Sequence, residues 1–213
     1  MCFHSKQSKS ATEVENRFNA KIDNIDVFKP HENINGFEYP LNPVIIDEKP
    51  EIITHYNWGL IPHWSKDDEI KKFTLNARIE TVDEKPSFRN SVNKRCLVIA
   101  NGFYEWQWLD SKGKNKIKYE IGIGNDDLFT FAGLYSQWID TNTGEIKNTY
   151  AIVTTEANLL MAEIHNHKKR MPVILKKEDE SKWLEHQSIQ DFAFPYEVTL
   201  VAKQIHPDKA TLW

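Results

Sequence analysis

The run RCLVIANGFYEWQW (residues 95–108) contains the longest strand signal of the chain. Its first half, from Cys96 to Ala100, is apolar at every position, which is typical of a central strand buried on both faces. Asn101-Gly102 interrupts the apolar run, and we expect a bulge or a bend there because glycine inside a strand marks a break in regular pairing. The run therefore predicts the middle of a β core.

Glu105 is the one acidic residue in the second half of this run. Strand alternation places it on the same face as Phe103, whereas three aromatic residues share the other face: Tyr104, Trp106 and Trp108. Burial among aromatic rings raises the pKa of a carboxyl, so Glu105 is a candidate proton carrier near neutral pH. The alternative is a structural glutamate paired with an arginine or a backbone donor.

Other segments complete a mixed pattern of helices and strands. Alternation or apolar runs predict strands at 43–47, 51–58, 73–80, 117–123, 128–136, 148–154, 171–175 and 197–202. A capping box at Ser10–Glu13 and helical spacing predict a helix over 11–22, with further short helices at 157–164 and 178–186. We expect an α+β fold: a single domain over 1–213 with a mainly antiparallel, barrel-like β core and short peripheral helices.

Composition limits the classes of function. The chain has 213 residues and a net charge of −4, so attraction to nucleic acid requires a local basic patch. Cys2 and Cys96 are the only cysteines, too few for a disulfide framework or a cysteine-based zinc site. There is no apolar span of membrane length and no signal-peptide core, so we expect a cytoplasmic protein in a reducing compartment, with no membrane partner.

Cys2 carries the chemistry that the N-terminus makes possible. Removal of Met1, which a small second residue favours, would leave Cys2 with a free α-amine beside its thiol. The amine can condense with an aldehyde to an imine, and the thiol can then close a five-membered thiazolidine ring on the same carbon. With reference pKa values of roughly 7.7–8.0 for the amine and about 8.5 for the thiol, a useful fraction of the amine is uncharged near neutral pH.

Two further stretches offer polar or aromatic contacts. The loop WGLIPHW (58–64) is either a core-packing turn or a surface on which Trp58 and Trp64 stack bases. In FTLNARIE (73–80), alternation places Asn76 and Arg78 on one polar face of a strand. That face is either solvated or lines a groove, in which the arginine fork suits a phosphate.

These motifs occur in an order that resembles one family. Met-Cys at the N-terminus, WGLIPHW, NARIET, NGFYEW, AIVTTEAN and IH…RMPVIL follow one another between residue 1 and about 184. The chain resembles the SRAP (SOS-response-associated peptidase-like) family, whose members attach covalently to abasic sites in single-stranded DNA. Residues 185–213 form a C-terminal strand and tail, and the part after about residue 190 shows no family pattern.

The resemblance implies a role for each matching residue. Cys2 matches the nucleophile of the family. Asn76 and Arg78 match residues that orient the terminus and contact DNA phosphate. Glu105 and His165 match the pair that carries protons. The residues implied at or near DNA are Thr154, Arg170 and the loop of Trp58 and Trp64, with Lys168 and Lys169 added for their charge. The Lys168–Arg170 run is alternatively a solvated helix end.

The sequence also departs from the family pattern. The usual start Met-Cys-Gly-Arg is Met-Cys-Phe-His here, so a DNA-contacting arginine is replaced. Four residues separate His165 from Arg170 where many members have one, which leaves His165 or His167 as the catalytic histidine. We favour His165 because it follows Ile164 as in the family.

The interpretation with the most support is a self-modifying enzyme that senses an abasic site in single-stranded DNA and caps it through a Cys2 thiazolidine, protecting the strand during the DNA damage response. We expect a monomer that needs no cofactor and joins the nucleoid when bound to damaged DNA. Three alternatives stay open: a cysteine peptidase that cleaves its own leader or another peptide, a zinc site built from Cys2, His4, His165 and His167, and a non-covalent single-stranded DNA-binding module.

Overall fold

The structure is a computed structural model that describes residues 2–205. The helices are α1 (Ala11–Phe18), α2 (Leu159–Ile164) and α3 (Glu180–Leu184). The strands are β1 (His4–Gln7), β2 (Lys21–Ile22), β3 (His31–Asn35), β4 (Leu41–Ile46), β5 (Ile52–Trp58), β6 (Asn76–Arg78), β7 (Arg95–Ala100), β8 (Gly102–Trp108), β9 (Lys116–Gly122), β10 (Phe129–Ile139), β11 (Ile146–Glu156), β12 (Arg170–Pro172), β13 (Ile174–Leu175) and β14 (Val201–Ile205).

The larger sheet closes on itself. Strand β7 pairs antiparallel with β10 on one side and with β4 on the other, and β4 pairs antiparallel with β5. Strand β5 then pairs in parallel with β11, which is the antiparallel neighbour of β10, so the pairings return to their start and form a barrel. The α+β architecture with a mainly antiparallel, barrel-like core is confirmed.

The second sheet has the strand order β14-β9-β8-β1-β3. The chain passes from the barrel into this sheet at Asn101, between β7 and β8, which confirms the predicted break in the run 95–108. The Asn101 amide holds the crossing in place by accepting from Ser8 N at 2.9 Å and donating to Asp126 Oδ1 at 2.7 Å. The run that predicts the core therefore supplies one strand to each sheet.

Strand β7 has apolar side chains on both faces, as its sequence predicts. Cys96, Val98 and Ala100 belong to a core that also includes Cys2 and Phe103, while its alternate residues face a second core. Cys2 therefore lies between the barrel and the second sheet. No helix in residues 2–205 has the length and apolar character needed to cross a bilayer.

Two predicted elements are corrected. The capping box at Ser10 is present, but α1 ends at Phe18 because Asn19 adopts a left-handed conformation (φ 49°), and Lys21–Ile22 then pairs with β5. The predicted strand 73–80 is shorter, since only Asn76–Arg78 is extended. Phe73 ends a 3₁₀ turn and is 76% exposed, so it does not share the buried face that the alternation predicts.

The remaining elements match in kind but differ in extent. The predicted strand 171–175 is split at Val173 into β12 and β13. The predicted strand 197–202 is displaced toward the C-terminus, where β14 pairs with β9. The part of the predicted tail after residue 205 lies outside the described residues.

Candidate functional site

Cys2 is buried and lies two residues before the start of β1. Its side chain has 0% exposure, and Sγ donates a long hydrogen bond to His4 O at 3.6 Å. Asn76 Nδ2 donates to Cys2 O at 2.9 Å, which ties the terminal segment to β6. Burial raises the pKa of the Cys2 thiol, and the charge of Glu105 adds to the rise. The thiol is therefore uncharged at neutral pH.

Strand β6 presents the two polar residues of the NAR motif. It pairs in parallel with β11, where Asn76 is opposite Ile152 and Arg78 is opposite Thr154. Asn76 is buried beside Cys2 and Arg78 is exposed, which places the predicted phosphate-binding cation at the rim of the site. Asn76 Oδ1 is buried and has no hydrogen-bond partner among residues 2–205, so it is an available acceptor.

Glu105 lies on the inner face of β8. It is buried together with Phe103, as the alternation predicts. Burial raises the pKa of its carboxyl to about 7. A carboxyl with this pKa can both give and take a proton near neutral pH, which is the property expected of a general acid.

His165 is placed by the end of α2. Its backbone N donates to Met161 O at 2.7 Å, and its ring Nδ1 lies 2.8 Å from Arg170 O and 3.3 Å from Arg170 N. A neutral ring nitrogen cannot serve both partners, and the shorter contact favours an Nδ1–H that donates to the carbonyl. The Nε2 atom is then the acceptor nitrogen. Burial lowers the pKa of the His165 imidazole to about 4, so the ring is neutral at neutral pH.

The side chains of Glu105 and His165 lie next to each other. The atoms His165 Nε2 and Glu105 Oε2 are 3.9 Å apart. Because the imidazole is neutral near pH 7 and the carboxyl is close to its pKa, the two are not a permanent ion pair. The other candidate, His167, is exposed and stacks on Trp108, so His165 is the one of the two that lies next to Glu105.

Arg170 and Thr154 are buried residues that pack against the site and bond to each other. The Arg170 guanidinium donates to both carboxyl oxygens of Glu80, at 2.7 and 2.8 Å, and also to Thr154 O. Burial alone would raise the pKa of the Glu80 carboxyl, but the hydrogen bonds from Arg170 reverse this and lower it. The expectation that the side chains of Thr154 and Arg170 contact DNA is corrected, because both are buried and bonded within the protein.

The two tryptophans of the loop 58–64 differ in position. Trp58 has 0% exposure and donates from Nε1 to Leu75 O at 2.8 Å, so its interpretation as a base-stacking residue is wrong and it belongs to the core. Trp64 is 47% exposed, and its ring is held at the surface by a bond from Nε1 to Pro86 O. Lys168 and Lys169 are exposed beside the site, as a charged surface for DNA requires.

Comparison with known proteins identifies the family. The family model described as SOS response associated peptidase (SRAP) matches residues 1–208. The chain belongs to the SRAP family.

Curated SRAP relatives carry names that state a process. The chain is 41% identical over 186 residues to the abasic site processing protein YoqW of Bacillus subtilis, covering 82% of this chain and 80% of the relative. It is 42% identical to the abasic site processing protein YoaM of the same organism, covering 72% and 68%. It is 34% identical to the abasic site processing protein HMCES of Mus musculus, covering 65% of this chain but 46% of that longer protein.

Solved structures confirm the fold. A crystal structure of a Bacteroides thetaiotaomicron protein matches with a TM-score of 0.87 at 37% identity, covering 97% of this chain and 93% of the other. A Bordetella bronchiseptica protein matches with a TM-score of 0.81 at 23% identity, covering 97% and 100%, which shows a shared fold.

The departures from the usual SRAP start are accommodated by aromatic contacts. Phe3 packs on Phe37 with ring centroids 4.8 Å apart, and His4 meets Trp106 edge-on at 5.0 Å. Sequence reasoning did not single out Phe37 or Glu80, because their partners lie far away in the chain and no spacing pattern connects them. Among residues 2–205, no group of three or more His, Cys, Asp or Glu side chains is arranged to hold a metal ion.

Proposed function

We propose that this protein senses abasic sites in single-stranded DNA and caps them covalently through Cys2. The observation that carries the proposal is the convergence of Cys2, Asn76, Glu105 and His165 on one site. The names of the SRAP relatives, abasic site processing proteins, supply the substrate class. The residues supply a chemistry that fits an aldehyde.

The first steps use the α-amine that removal of Met1 would leave on Cys2. An abasic deoxyribose is mostly a closed hemiacetal, and ring opening moves a proton, which the Glu105–His165 pair can carry. The amine nitrogen then forms a bond to the C1′ aldehyde carbon. The carbinolamine loses one water, with Glu105 as the acid that protonates the departing oxygen, and an imine results.

Asn76 orients the attacking terminus. Its Nδ2 already holds the Cys2 carbonyl, and its Oδ1 is an available acceptor beside the same residue. We expect Oδ1 to accept a hydrogen bond from the new amine, which would direct the nitrogen lone pair toward the sugar.

The thiol completes the cap. It adds across the imine: sulfur bonds to C1′, and the thiol proton reaches the nitrogen, giving a thiazolidine. An imine left open acidifies the C2′ hydrogen and permits β-elimination, which breaks the strand. Because the buried thiol is uncharged, its proton must leave as the bond forms, and we expect the neutral His165 imidazole to take up this proton and pass it to the nitrogen.

The flanking DNA is held by surface groups. Arg78 at the end of β6, with Lys168 and Lys169 after α2, provides cations for phosphates, and Trp64 provides an exposed ring for a base.

A denaturing gel tests the proposal. Wild-type protein should give a slow-migrating band with a single-stranded oligonucleotide that contains one abasic site, and none with the intact oligonucleotide. Cys2→Ala keeps the α-amine but lacks the thiol, so its products should shift from a stable adduct toward strand cleavage. A stable adduct of unchanged yield from Cys2→Ala would rule out the thiazolidine step.

A further inference from the structure

The segment between His165 and Arg170 contains a residue with an unusual pair of hydrogen bonds. Asn166 Oδ1 accepts from Trp108 N at 3.1 Å, and Asn166 Nδ2 donates to Trp108 O at 2.8 Å. A side-chain amide that pairs with both backbone groups of one residue extends that strand as a neighbouring strand would. Such a pairing fixes direction as well as distance.

Two other contacts join the same elements. The His167 ring stacks on the Trp108 indole with centroids 3.9 Å apart and planes inclined by 7°. Gln107 Nε2 donates to Glu163 O at 3.2 Å. The last residues of β8 are therefore tied to the last turn of α2 and to the residues that follow it.

These contacts between β8 and the residues at the end of α2 connect the two segments that carry Glu105 and His165. Glu105 lies on β8 near Trp108, and His165 directly precedes Asn166. We propose that Asn166, supported by the His167–Trp108 stack, is a positioning residue that sets the separation and orientation of the Glu105–His165 pair. The inference rests on the proposed function for its chemical consequence, whereas its structural consequence can be measured without DNA.

A substitution at Gly113 offers a second way to disturb the contacts that Trp108 makes with Asn166 and His167. A Cβ at this position would lie 2.6 Å from the Trp108 ring, and the residue has a φ of +62°. The hairpin turn after β8 therefore packs directly against the indole. Gly113→Ala should displace Trp108 without changing any residue between His165 and Arg170.

The test combines a histidine titration with adduct kinetics. The His165 signal is followed by NMR on protein labelled with ¹³C-histidine and assigned with a His165→Gln spectrum. In Asn166→Ala the imidazole should be held less tightly in its buried position, so its midpoint should rise by about one pH unit from the low wild-type value. The adduct rate should fall by about tenfold, with a displaced pH profile.

Companion variants separate positioning from folding. Asn166→Leu keeps the approximate size without adding a charge but loses both hydrogen bonds to Trp108, so it should shift the His165 midpoint in the same direction. Gly113→Ala should do likewise, and these two variants decide the test if Asn166→Ala does not fold. Asn142→Ala, a change at an exposed asparagine in the β10–β11 turn, should alter neither measurement.

An unchanged His165 midpoint in folded Asn166 variants would overturn the inference, even with a slower adduct rate. If the wild-type protein formed no adduct at all, the proposed function would fail. The NMR titration would still decide whether Asn166 positions His165.

Discussion

Burial of Glu105 lowers the stability of the folded protein at neutral pH. Its folded pKa of about 7 lies above the ordinary value of 4.5, so between these pH values the folded state holds a proton that the unfolded state has released. The stability contributed by the protonated carboxyl is present below about pH 4.5 and lost as the pH rises through 7. A buried carboxyl that destabilises the fold in this way is better explained by a chemical role than by a packing role.

Glu105→Gln should therefore stabilise the protein in a pH-dependent way. The variant's gain in unfolding free energy over wild type should grow from pH 4.5 to pH 7 and then level off, reaching roughly 3 kcal/mol for the full shift. Urea unfolding at several pH values measures it. His165 contributes the opposite slope between about 4 and 6.5, but it is present in both proteins and largely cancels. A pH-independent difference would contradict the raised pKa.

The same substitution should damage the reaction. Gln cannot deliver a proton to the departing oxygen, so adduct formation by Glu105→Gln should slow by roughly 10²–10⁴-fold. Single-turnover kinetics with excess protein measures the rate directly. A variant that is more stable at pH 8 and yet reacts as fast as wild type would remove Glu105 from the mechanism.

At the level of single residues, some roles could be predicted from the sequence and others could not. Alternation correctly predicts the shared inner face of Phe103 and Glu105, because it depends only on strand geometry. The burial of Trp58 could not be predicted, since an aromatic loop has the same composition whether it packs inward or outward. What decides it is the distant Leu75 carbonyl that accepts from its indole.

Among the elements, the strands β6, β11 and β12 and the residues beside them hold the His165 imidazole in place. Arg170 on β12 reaches Glu80 just after β6 and Thr154 on β11, while its backbone carbonyl accepts from the His165 ring. A change at Glu80 therefore acts on the site through Arg170. No spacing pattern predicts this link, because it joins residues far apart in sequence.

Glu80→Gln should weaken this support. The largely buried Arg170 would lose its charged partner, and because Glu80 is itself partly exposed we expect a loss of about 1–2 kcal/mol in unfolding free energy. Urea unfolding at pH 7 measures it. The matched control is Glu69→Gln, which breaks the exposed Glu69–Lys72 pair and should leave the unfolding free energy close to the wild-type value. Equal losses in the two variants would contradict the support role.

Local patterns predicted the presence of an element better than the residues at which it begins and ends. The capping box marked the start of α1 correctly, but its end depends on the pairing of Lys21–Ile22 with β5, which is a non-local contact. In 73–80, alternation extended the predicted strand beyond the three residues that find a partner in β11. Periodicity measures a local preference, whereas pairing decides the observed length.

For the whole molecule, the closed barrel and the second sheet create the site at their junction. Cys2 enters the shared core, β6 brings Asn76 from the barrel, and β8 brings Glu105 from the second sheet. The α+β fold class was predicted from the patterns of strands and helices, and the candidate site residues were proposed because separated motifs occur in a family order. The barrel closure through β5 and β11 was not, since parallel pairing leaves no mark in either strand's own sequence.

DNA binding by the whole molecule should depend on a few surface cations, because the net charge is −4. With Cys2→Ala and intact single-stranded DNA, binding is non-covalent and can be followed by fluorescence anisotropy at several salt concentrations. Each phosphate that a cation neutralises adds about −0.7 to the slope of log K against log salt. Arg78→Ala, and the pair Lys168→Ala with Lys169→Ala, should make the slope shallower by about this amount for each cation removed.

The exposed Lys49 in the turn between β4 and β5 provides the control for that measurement. Lys49→Ala has the same change in net charge as Arg78→Ala but should leave the slope unaltered. Equal effects of the two substitutions would show that overall charge, and not a local surface, governs binding.

The covalent bond between an N-terminal Cys2 and the abasic sugar is the step on which the proposed function depends. Intact-mass spectrometry under denaturing conditions detects this bond, on protein mixed with a single-stranded oligonucleotide carrying one abasic site. We predict a one-to-one species whose mass equals the chain lacking Met1 plus the oligonucleotide minus one water. A chain confirmed to begin at Cys2 that gives only the two separate masses would contradict covalent capping.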